Sequence, residues 1–261
     1  MKLELKNIRL TFSNSRKEVF HLLQGIDLAV EEGSVTAIVG GNGTGKTTLF
    51  NIISGFIRDY EGQVLVNGKD LRHLSPSQRS QTGIGRLFQG AQLMKDLSLS
   101  ENLKIASQDK TGENPWQPFF SFKSVRTKEK EKEKRAAQII TSLFGKDSKY
   151  LSMLDQKAGD LSYGEQRLFG IARLLMADNS ILLLDEPTSG VNPLYVEAIA
   201  EIIRNLVSTK KITVLMIEHN IQFVRNLATH CAYLDNGKIV QYGTTDKVLD
   251  DENVKNSYLG I

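Results

Sequence analysis

The stretch Ser34-Val-Thr-Ala-Ile-Val-Gly-Gly-Asn-Gly-Thr-Gly-Lys-Thr47 decides the fold of this chain. Its first part, Ser34–Val39, is short, apolar and β-branched, which is typical of a buried strand. From Gly40 to Thr47 it matches the pattern G-x-x-x-x-G-K-T, and the residues up to Ile53 carry apolar side chains at helical spacing. This pattern cradles phosphates when it lies between a strand and a helix. The stretch therefore predicts a phosphate-binding loop in an α/β protein.

Each residue type in this loop has a physical reason to be there. Glycines let backbone N–H groups turn towards phosphate oxygens, and the start of the following helix adds a partial charge of about +0.5. Lys46 is expected to reach the β and γ phosphates of a bound nucleotide, and the Thr47 hydroxyl to bind Mg²⁺. The loop residues predicted to bind the nucleotide are Gly40, Asn42, Gly43, Gly45, Lys46, Thr47 and Thr48.

A second apolar strand ends in two carboxylates. Ile181–Leu184 is apolar on both faces, as a central parallel strand is, and Asp185 and Glu186 follow at its carboxyl end. Open α/β sheets bind their ligands at that end of their strands. We expect Asp185 to hold Mg²⁺, and Glu186 to orient the attacking water or to accept a proton from it.

These two motifs leave the class of enzyme open among ATPases, GTPases and small-molecule kinases. A GTPase usually carries N-K-x-D to bind guanine. Asn67-Gly-Lys-Asp70 has the wrong order for that motif and follows a short strand, so we interpret it as a turn. A small-molecule kinase would not need the segment Leu161-Ser-Tyr-Gly-Glu-Gln166, which lies just upstream of the acidic strand.

The segment Leu161–Gln166 resembles the signature of the ATP-binding cassette (ABC) family, whose commonest form is Leu-Ser-Gly-Gly-Gln. Tyr163 stands where that form has its first glycine, and Glu165 stands where it has glutamine. Ser162 can cap a helix and Gly164 permits close backbone approach, so the segment makes an anion site at a helix start. An ordinary Ser-x-x-Glu cap is the alternative. In the family this segment faces the γ-phosphate held by the opposite subunit, so the resemblance implies that Ser162 and Gly164 bind ATP in trans.

The resemblance also assigns roles to single residues. Gln89 matches the glutamine that touches Mg²⁺ or the attacking water, and His219 matches the histidine near the γ-phosphate. Phe12 is the first candidate to stack on adenine and Phe20 is the second, although either ring could equally be a core residue. Ser189-Gly-Val-Asn-Pro193 matches the segment that lies across the dimer seam. The implied catalytic residues are Glu186, His219, Gln89 and Lys46, and the implied metal ligands are Thr47, Gln89 and Asp185.

The bulk composition restricts the possible partners. Of the 261 residues 40% are hydrophobic and 24% are charged, as in globular proteins generally, and a net charge of +3 does not argue for a nucleic-acid partner. The one cysteine, Cys231, has no internal disulfide partner and is expected in the core. No stretch reaches the roughly 18 apolar residues of a membrane span, so partner subunits would have to supply a membrane crossing.

The order of elements predicts the fold class. Strands dominate the opening third, the middle is helical and charged, and strands alternate with helices in the final third. We predict an α/β fold with a mainly parallel sheet and an inserted helical subdomain. The resemblance implies that this is a P-loop NTPase (RecA-like) core with an N-terminal antiparallel β subdomain. The resemblance implies one ABC ATPase domain over 1–261, in which 1–88 and 167–261 form the core and 89–166 form the helical subdomain. We interpret the run Lys128–Arg135 as the solvated face of a helix.

Four stretches point to one subfamily. The tail Asn256-Ser-Tyr-Leu-Gly260, the aromatic insert Trp116–Phe122, Gly85-Arg-Leu-Phe-Gln89 and the signature variant are similar to the branched-chain amino acid importer ATPases. The resemblance implies that ATP and Mg²⁺ are the cofactors, that ATP closes a dimer and that hydrolysis opens it. The implied partners are a second ABC ATPase subunit, identical or homologous, transmembrane permease subunits and an external substrate-binding protein. The chain would then lie at the cytoplasmic face of the inner membrane, attached through the permeases.

Other members of the family remain alternatives. The urea and amide importers share much of the pattern, and so does the lipopolysaccharide-export ATPase, although the insert near Trp116 speaks against the latter. A non-transport ABC ATPase is an alternative of a different class. In DNA-repair and chromosome-structure proteins of that kind a long coiled coil separates the phosphate loop from the signature, and the middle of this chain has no sustained heptads.

Overall fold

A computed structural model gives the fold, and it describes residues 1–13, 19–89, 93–107 and 122–256. The chain divides into two compact units. The first unit comprises Met1–Gln89, Ser180–Ser189 and Val196–Ile261, and the second comprises Gly90–Asn179 and Gly190–Tyr195.

The strands of the described residues all lie in the first unit. They are β1 Leu3–Ser13, β2 Val19–Val30, β3 Val35–Val39, β4 Glu61–Val66, β5 Lys69–Asp70, β6 Ile84–Leu87, β7 Ile181–Asp185, β8 Thr213–Ile217, β9 His230–Asp235 and β10 Lys238–Thr244. An antiparallel sheet has the order β2-β1-β4-β5, and a six-stranded sheet has the order β10-β9-β3-β8-β7-β6.

The helices of the described residues are distributed over both units. They are α1 Lys46–Ile53, α2 Pro76–Gln81, α3 Leu99–Ala106, α4 Phe122–Phe144, α5 Lys149–Ser152, α6 Tyr163–Met176, α7 Pro193–Lys210, α8 Ile221–Leu227, α9 Thr245–Leu249 and α10 Glu252–Val254. A short 3₁₀ helix at Ala158–Asp160 precedes α6.

The six-stranded sheet positions the residues of interest. β3 pairs in parallel with β8 and β9, and β7 pairs in parallel with β6 and β8, whereas β10 is antiparallel to β9. Every residue of β3, β7 and β8 is buried, which explains why these strands are almost continuously apolar. Because parallel strands end at the same edge of a sheet, the residues that follow these three strands are brought together there.

The main hydrophobic core lies in the first unit. It combines inward-facing residues of the antiparallel sheet, such as Leu5 and Ile8, with Leu49 and Ile52 of α1 and with residues of the parallel sheet. All four of these side chains are buried. This shared core fixes α1 and the loop before it against both sheets.

The second unit has a helical core of its own. Phe169 of α6 packs against Tyr150 with ring centroids 5.6 Å apart, and Tyr150 packs against Phe144 at 4.7 Å. The charged run of α4 lies away from this core and most of its residues are exposed, so the interpretation of that run as a solvated face is confirmed. Lys104 of α3 forms ion pairs with Glu129 at 3.2 Å and Glu133 at 3.5 Å along the run.

The predicted sheets are confirmed, since the larger sheet is mainly parallel and the smaller one is antiparallel. The second unit extends to Asn179, beyond the boundary expected at 166, because α6 packs against α3 and α4. The assignment of 1–88, 89–166 and 167–261 to functional subdomains stays a prediction.

Three smaller expectations have a structural outcome. Asn67 and Gly68, with φ of 49° and 79°, connect β4 to β5, so the interpretation of this segment as a turn is confirmed. Cys231 is fully buried in β9, and this burial raises the pKa of its thiol to about 12. Within the described ranges, no helix combines the length and the apolar character needed to cross a membrane.

Candidate functional site

The glycine-rich loop follows β3 and is shaped by positions that accept only glycine. Gly40 and Gly45 have φ of 153° and 101°, which side-chain-bearing residues rarely adopt. A Cβ on Gly40 would lie 2.1 Å from the carbonyl oxygen of Leu234, and one on Gly45 would lie 2.7 Å from the Leu23 side chain. The loop therefore packs too closely on its surroundings to hold larger residues at these two positions.

Lys46 fills the centre of the loop. Its Nζ donates to the carbonyl oxygens of Gly40 and Gly41, each at 2.7 Å, and the side chain is buried. Burial lowers the pKa of this ammonium, although the nearby charges of Glu186 and Asp185 oppose that shift. The loop thus holds a partly desolvated cation, which attracts a phosphate more strongly than a fully hydrated one.

The first turn of α1 follows directly. Gly45 takes the N-cap position, no side chain of the described residues caps this helix start, and its first turn contains no acidic residue. Backbone N–H groups at such a helix start need an acceptor from elsewhere, and a phosphate can supply it. A cleft of about 330 Å³ opens here, lined by Leu22, Asn42, Gly43, Gly45, Lys46, Thr47, Thr48, Glu186 and His219.

Asp185 ends β7 and is 2% exposed. Its Oδ2 accepts a hydrogen bond from Nη2 of Arg86 at 2.8 Å. Its Oδ1 is buried and has no hydrogen-bond partner among the described residues. Such an oxygen is ready to accept a further donor or a cation.

Arg86 of β6 had no role predicted from the sequence. Besides Asp185, its guanidinium donates to Asn51 at 2.7 Å and to Ser54 at 3.1 Å, and it lies 4.5 Å from the centre of the Phe88 ring. Burial lowers the pKa of Arg86, and the hydrogen bond and charge of Asp185 oppose this shift. A signal was present, because an arginine inside the apolar strand β6 requires a buried partner.

Glu186 contacts two of the other predicted catalytic residues. Its Oε2 accepts from Nε2 of Gln89 at 2.6 Å, and its Oε1 lies 3.1 Å from Nε2 of His219. Its backbone has a left-handed φ of 47° and donates to Ile217, the last residue of β8, at 2.9 Å. The structure therefore brings Glu186, Gln89 and His219 together, while their catalytic roles, which the resemblance implies, stay predictions.

The signature segment belongs to the second unit. Ser162 caps α6, and the Ser162 and Glu165 side chains bond each other's backbone N–H groups in a capping box. The Ser162 hydroxyl also donates to Glu165 at 2.8 Å, and Lys149 donates to the other oxygen of Glu165 at 2.7 Å. Burial alone would raise the pKa of Glu165, but the hydrogen bonds from Lys149 and Ser162 outweigh it and lower that pKa.

Glycine is required at position 164 for a packing reason that the sequence did not reveal. A Cβ at this position would lie 2.4 Å from the ring of Tyr195, so Gly164 is required for packing within its own unit. Next to it, Tyr163 accepts a hydrogen bond from Arg167 at 2.5 Å. The predicted roles of Ser162 and Gly164 towards a second subunit's nucleotide stay predictions.

The aromatic candidates for adenine lie opposite each other. Phe12 of β1 pairs with Phe20 of β2, and the two residues are 49% and 57% exposed. The alternative that either ring is a core residue is therefore wrong, while adenine stacking stays a prediction. Of the stretches used for the subfamily comparison, residues 116–121 and 257–260 lie outside the described residues, as does the side chain of Phe122.

Comparisons with known proteins bear on the whole chain. Residues 23–189 match the family model described as ABC transporter. The chain is 32% identical to the high-affinity branched-chain amino acid transport ATP-binding protein BraF of Pseudomonas aeruginosa over 91% of each chain. It is 36% identical to the probable branched-chain amino acid transport ATP-binding protein LivG of Methanocaldococcus jannaschii over 92% of each chain.

Solved structures agree with this result. One is the crystal structure of a nucleotide-free ATP-binding cassette from an ABC transporter, and another shows the ADP conformation of an ATP-binding cassette of an ABC transporter. Each has a TM-score of 0.82 to this chain and a sequence identity of 35%, and each comparison covers 100% of this chain and 100% of the solved chain. The predicted P-loop NTPase fold class is confirmed.

Proposed function

Because this chain belongs to the ABC transporter family and is an ATP-binding, ATP-hydrolysing transporter subunit, we propose that it powers the import of branched-chain amino acids. The cargo rests on the relatives, two of which are named as branched-chain amino acid transport ATP-binding proteins and span nine-tenths of the chain. The hydrolytic part rests on one observation of this chain, the cleft in which Lys46 and Thr47 face Glu186 and His219.

The residues of the cleft have complementary roles in hydrolysis. Lys46 and the start of α1 bind and orient the β and γ phosphates. Glu186 accepts a proton from the attacking water, and its carboxylate is held by the side chains of Gln89 and His219, at 2.6 and 3.1 Å. In this proposal Gln89 also contacts Mg²⁺ or the attacking water, and His219 lies near the γ-phosphate. Phe12 offers its exposed ring to the adenine.

The structure offers a fit for Mg²⁺. Asp185 presents a buried Oδ1 with no partner in the described chain, and the Thr47 hydroxyl lines the cleft. Mg²⁺ usually keeps several waters and is held by one or two protein oxygens together with substrate phosphates. Thr47, Gln89 and Asp185 would hold it, and it would neutralise charge on the β and γ phosphates.

A second subunit completes the site in this proposal. Ser162 and Gly164 of an identical or homologous chain approach the γ-phosphate, so ATP closes the pair and hydrolysis releases it. The helical subdomain, 89–166, passes this motion to transmembrane permease subunits, and an external binding protein delivers the amino acid. The chain then lies at the cytoplasmic face of the membrane.

The decisive experiment uses Glu186→Gln, which removes the base and keeps the size of the side chain. We expect Mg-ATP to convert this variant from monomer to dimer in size-exclusion chromatography with light scattering, and ADP not to do so. The double variant Lys46→Ala/Glu186→Gln serves as control and should stay monomeric. A monomer with Mg-ATP at all concentrations would contradict the shared site and favour a kinase-like enzyme.

The cargo needs a separate measurement in cells. Deleting the gene should lower uptake of labelled leucine, isoleucine and valine, and the wild-type gene should restore it while the Glu186→Gln gene should not. Unchanged uptake of these amino acids together with a loss of urea or short-amide uptake would assign the chain to the related importers instead.

A further inference from the structure

One buried carboxylate of the first unit has no role in the mechanism above. Glu218 follows β8, is 2% exposed, and accepts four hydrogen bonds from described residues. Its Oε1 accepts from the backbone N–H of Thr188 at 2.9 Å and from the Thr188 hydroxyl at 2.6 Å. Its Oε2 accepts from the backbone N–H groups of His219 at 3.0 Å and Asn220 at 3.1 Å.

These bonds connect two separate segments of the chain. Thr188 lies two residues after Glu186, while His219 is the next residue after Glu218 itself. The Glu218 carboxylate therefore connects the segment that follows Glu186 to the segment that contains His219. Together with Glu186, Ser189 and the three donors, Glu218 lines a second cleft of about 180 Å³ beside the nucleotide cleft.

We propose that Glu218 is a positioning residue for ATP hydrolysis, which fixes the distance between Glu186 and His219 by holding both of their segments. The proposal rests on the proposed roles of Glu186 and His219. The four hydrogen bonds of the Glu218 carboxylate reach the two segments through the backbone N–H groups of His219 and Asn220 and through Thr188.

The chemistry of the carboxylate explains why glutamate stands here. Two oxygens that carry a shared negative charge can serve four donors, because each oxygen has about two lone-pair directions. A glutamine has one acceptor oxygen, and its NH₂ group would face the donors at the other position. The amide could therefore accept either from Thr188 or from the backbone of His219 and Asn220, but not from both. Glu218→Gln thus keeps the volume and releases one of the two segments.

The first test measures steady-state hydrolysis and nucleotide binding. We expect Glu218→Gln to lower kcat at least about tenfold, while KM for ATP and the Kd of a fluorescent ATP analogue change less than about twofold. Thr188→Val removes a hydroxyl donor and keeps the backbone donor, so it should lower kcat by a smaller factor. Thr188→Ser retains the hydroxyl and should have the kcat of the wild-type protein. An equal kcat in the wild type and in these three variants would overturn the proposal.

The second test separates positioning from general stabilisation. In a double-mutant cycle, Glu218→Gln should lower kcat less than twofold when His219 is already alanine, because the partner that it positions is absent. If the fold-decrease in kcat of the double variant equals the product of the two single fold-decreases, Glu218 acts independently of His219 and the proposal is contradicted. If Glu218→Gln does not fold, as judged by circular dichroism and nucleotide binding, the Thr188 variants crossed with His219→Ala give the same decision.

The outcomes also distinguish this inference from the proposed function. Wild-type protein that hydrolyses no ATP, and Glu186→Gln protein that does not dimerise, would contradict the function. Normal wild-type hydrolysis with unchanged kcat in the Glu218 and Thr188 variants would contradict the positioning role alone.

Discussion

Two helices of this chain begin at sites that are both expected to meet phosphate, and they begin in opposite ways. Helix α1 starts at Gly45 in a left-handed conformation, without a side-chain cap in the described residues and without an acid in its first turn. Helix α6 starts at Ser162 with a complete capping box and with Glu165 in its first turn. The first start leaves its N–H groups for a ligand, whereas the second already satisfies two of its own, those of Ser162 and Glu165.

The difference indicates which site binds on its own. Next to α1, the buried ammonium of Lys46 adds a positive charge. At α6 a carboxylate stands near the N-terminus, and Lys149 compensates it at 2.7 Å. A strong site and a weak one are what a nucleotide-dependent dimer needs, since one subunit must hold ATP before the other closes on it.

The largest effect should come from Lys46→Ala. Removing the cation deprives the phosphates of charge-assisted hydrogen bonds, and we expect the Kd for ATP to rise roughly 100-fold, as measured by calorimetric titration. Lys238→Ala, an exposed lysine on β10, is the matched control and should bind normally. Binding within threefold of wild type would mean that the start of α1 alone retains the phosphates.

A smaller effect, of a different kind, should come from Ser162. Ser162→Arg places a bulky cation at the start of α6, so we expect ATP hydrolysis to fall at least tenfold while each chain binds nucleotide with its normal Kd. Ser162→Ala removes only the cap and should lower the free energy of unfolding by about 1 kcal/mol in urea denaturation. Normal hydrolysis by the arginine variant would contradict a trans site at α6.

The smallest effect concerns the ion pair between Lys149 and Glu165. Lys149 is mostly exposed, and exposed pairs contribute little, so we expect Lys149→Ala to weaken ATP-driven dimerisation of Glu186→Gln protein only about two- to fivefold. Adding Glu165→Gln, which removes the uncompensated charge, should restore it. A deficit that persists in this combined variant would show that Lys149 acts by some means other than neutralising Glu165.

The sequence was sufficient for much of this comparison. The strand and helix around Gly40–Thr47 and the apolar strand before Asp185 have strong local patterns, and the parallel sheet then brings their ends together. Gln89 and His219 were assigned by resemblance to the family's motifs, and the structure puts both against Glu186.

What the sequence did not predict depends on pairing over long distances. Arg86 and Asp185 are separated by 99 positions, so neither residue's local pattern names the other. Glu218 follows the buried strand β8 just as Glu186 follows β7, and this similarity was the available signal. Its partner Thr188 lies 30 positions away, one residue before the segment Ser189–Pro193, which was identified only by resemblance. The reason for Gly164 was also hidden, because it depends on the ring of Tyr195.

The buried thiol of Cys231 has a practical consequence. Because its pKa is raised to about 12 and the residue is fully buried, Cys231 carries almost no thiolate near neutral pH. We expect it not to react with maleimides or with thiol-specific spin labels. A cysteine introduced at an exposed site such as Lys238 would then be the one group that reacts in the native protein. Spin labels attached there could report the separation of two copies by pulsed electron resonance, through a complete cycle of nucleotide turnover, without first removing the natural thiol.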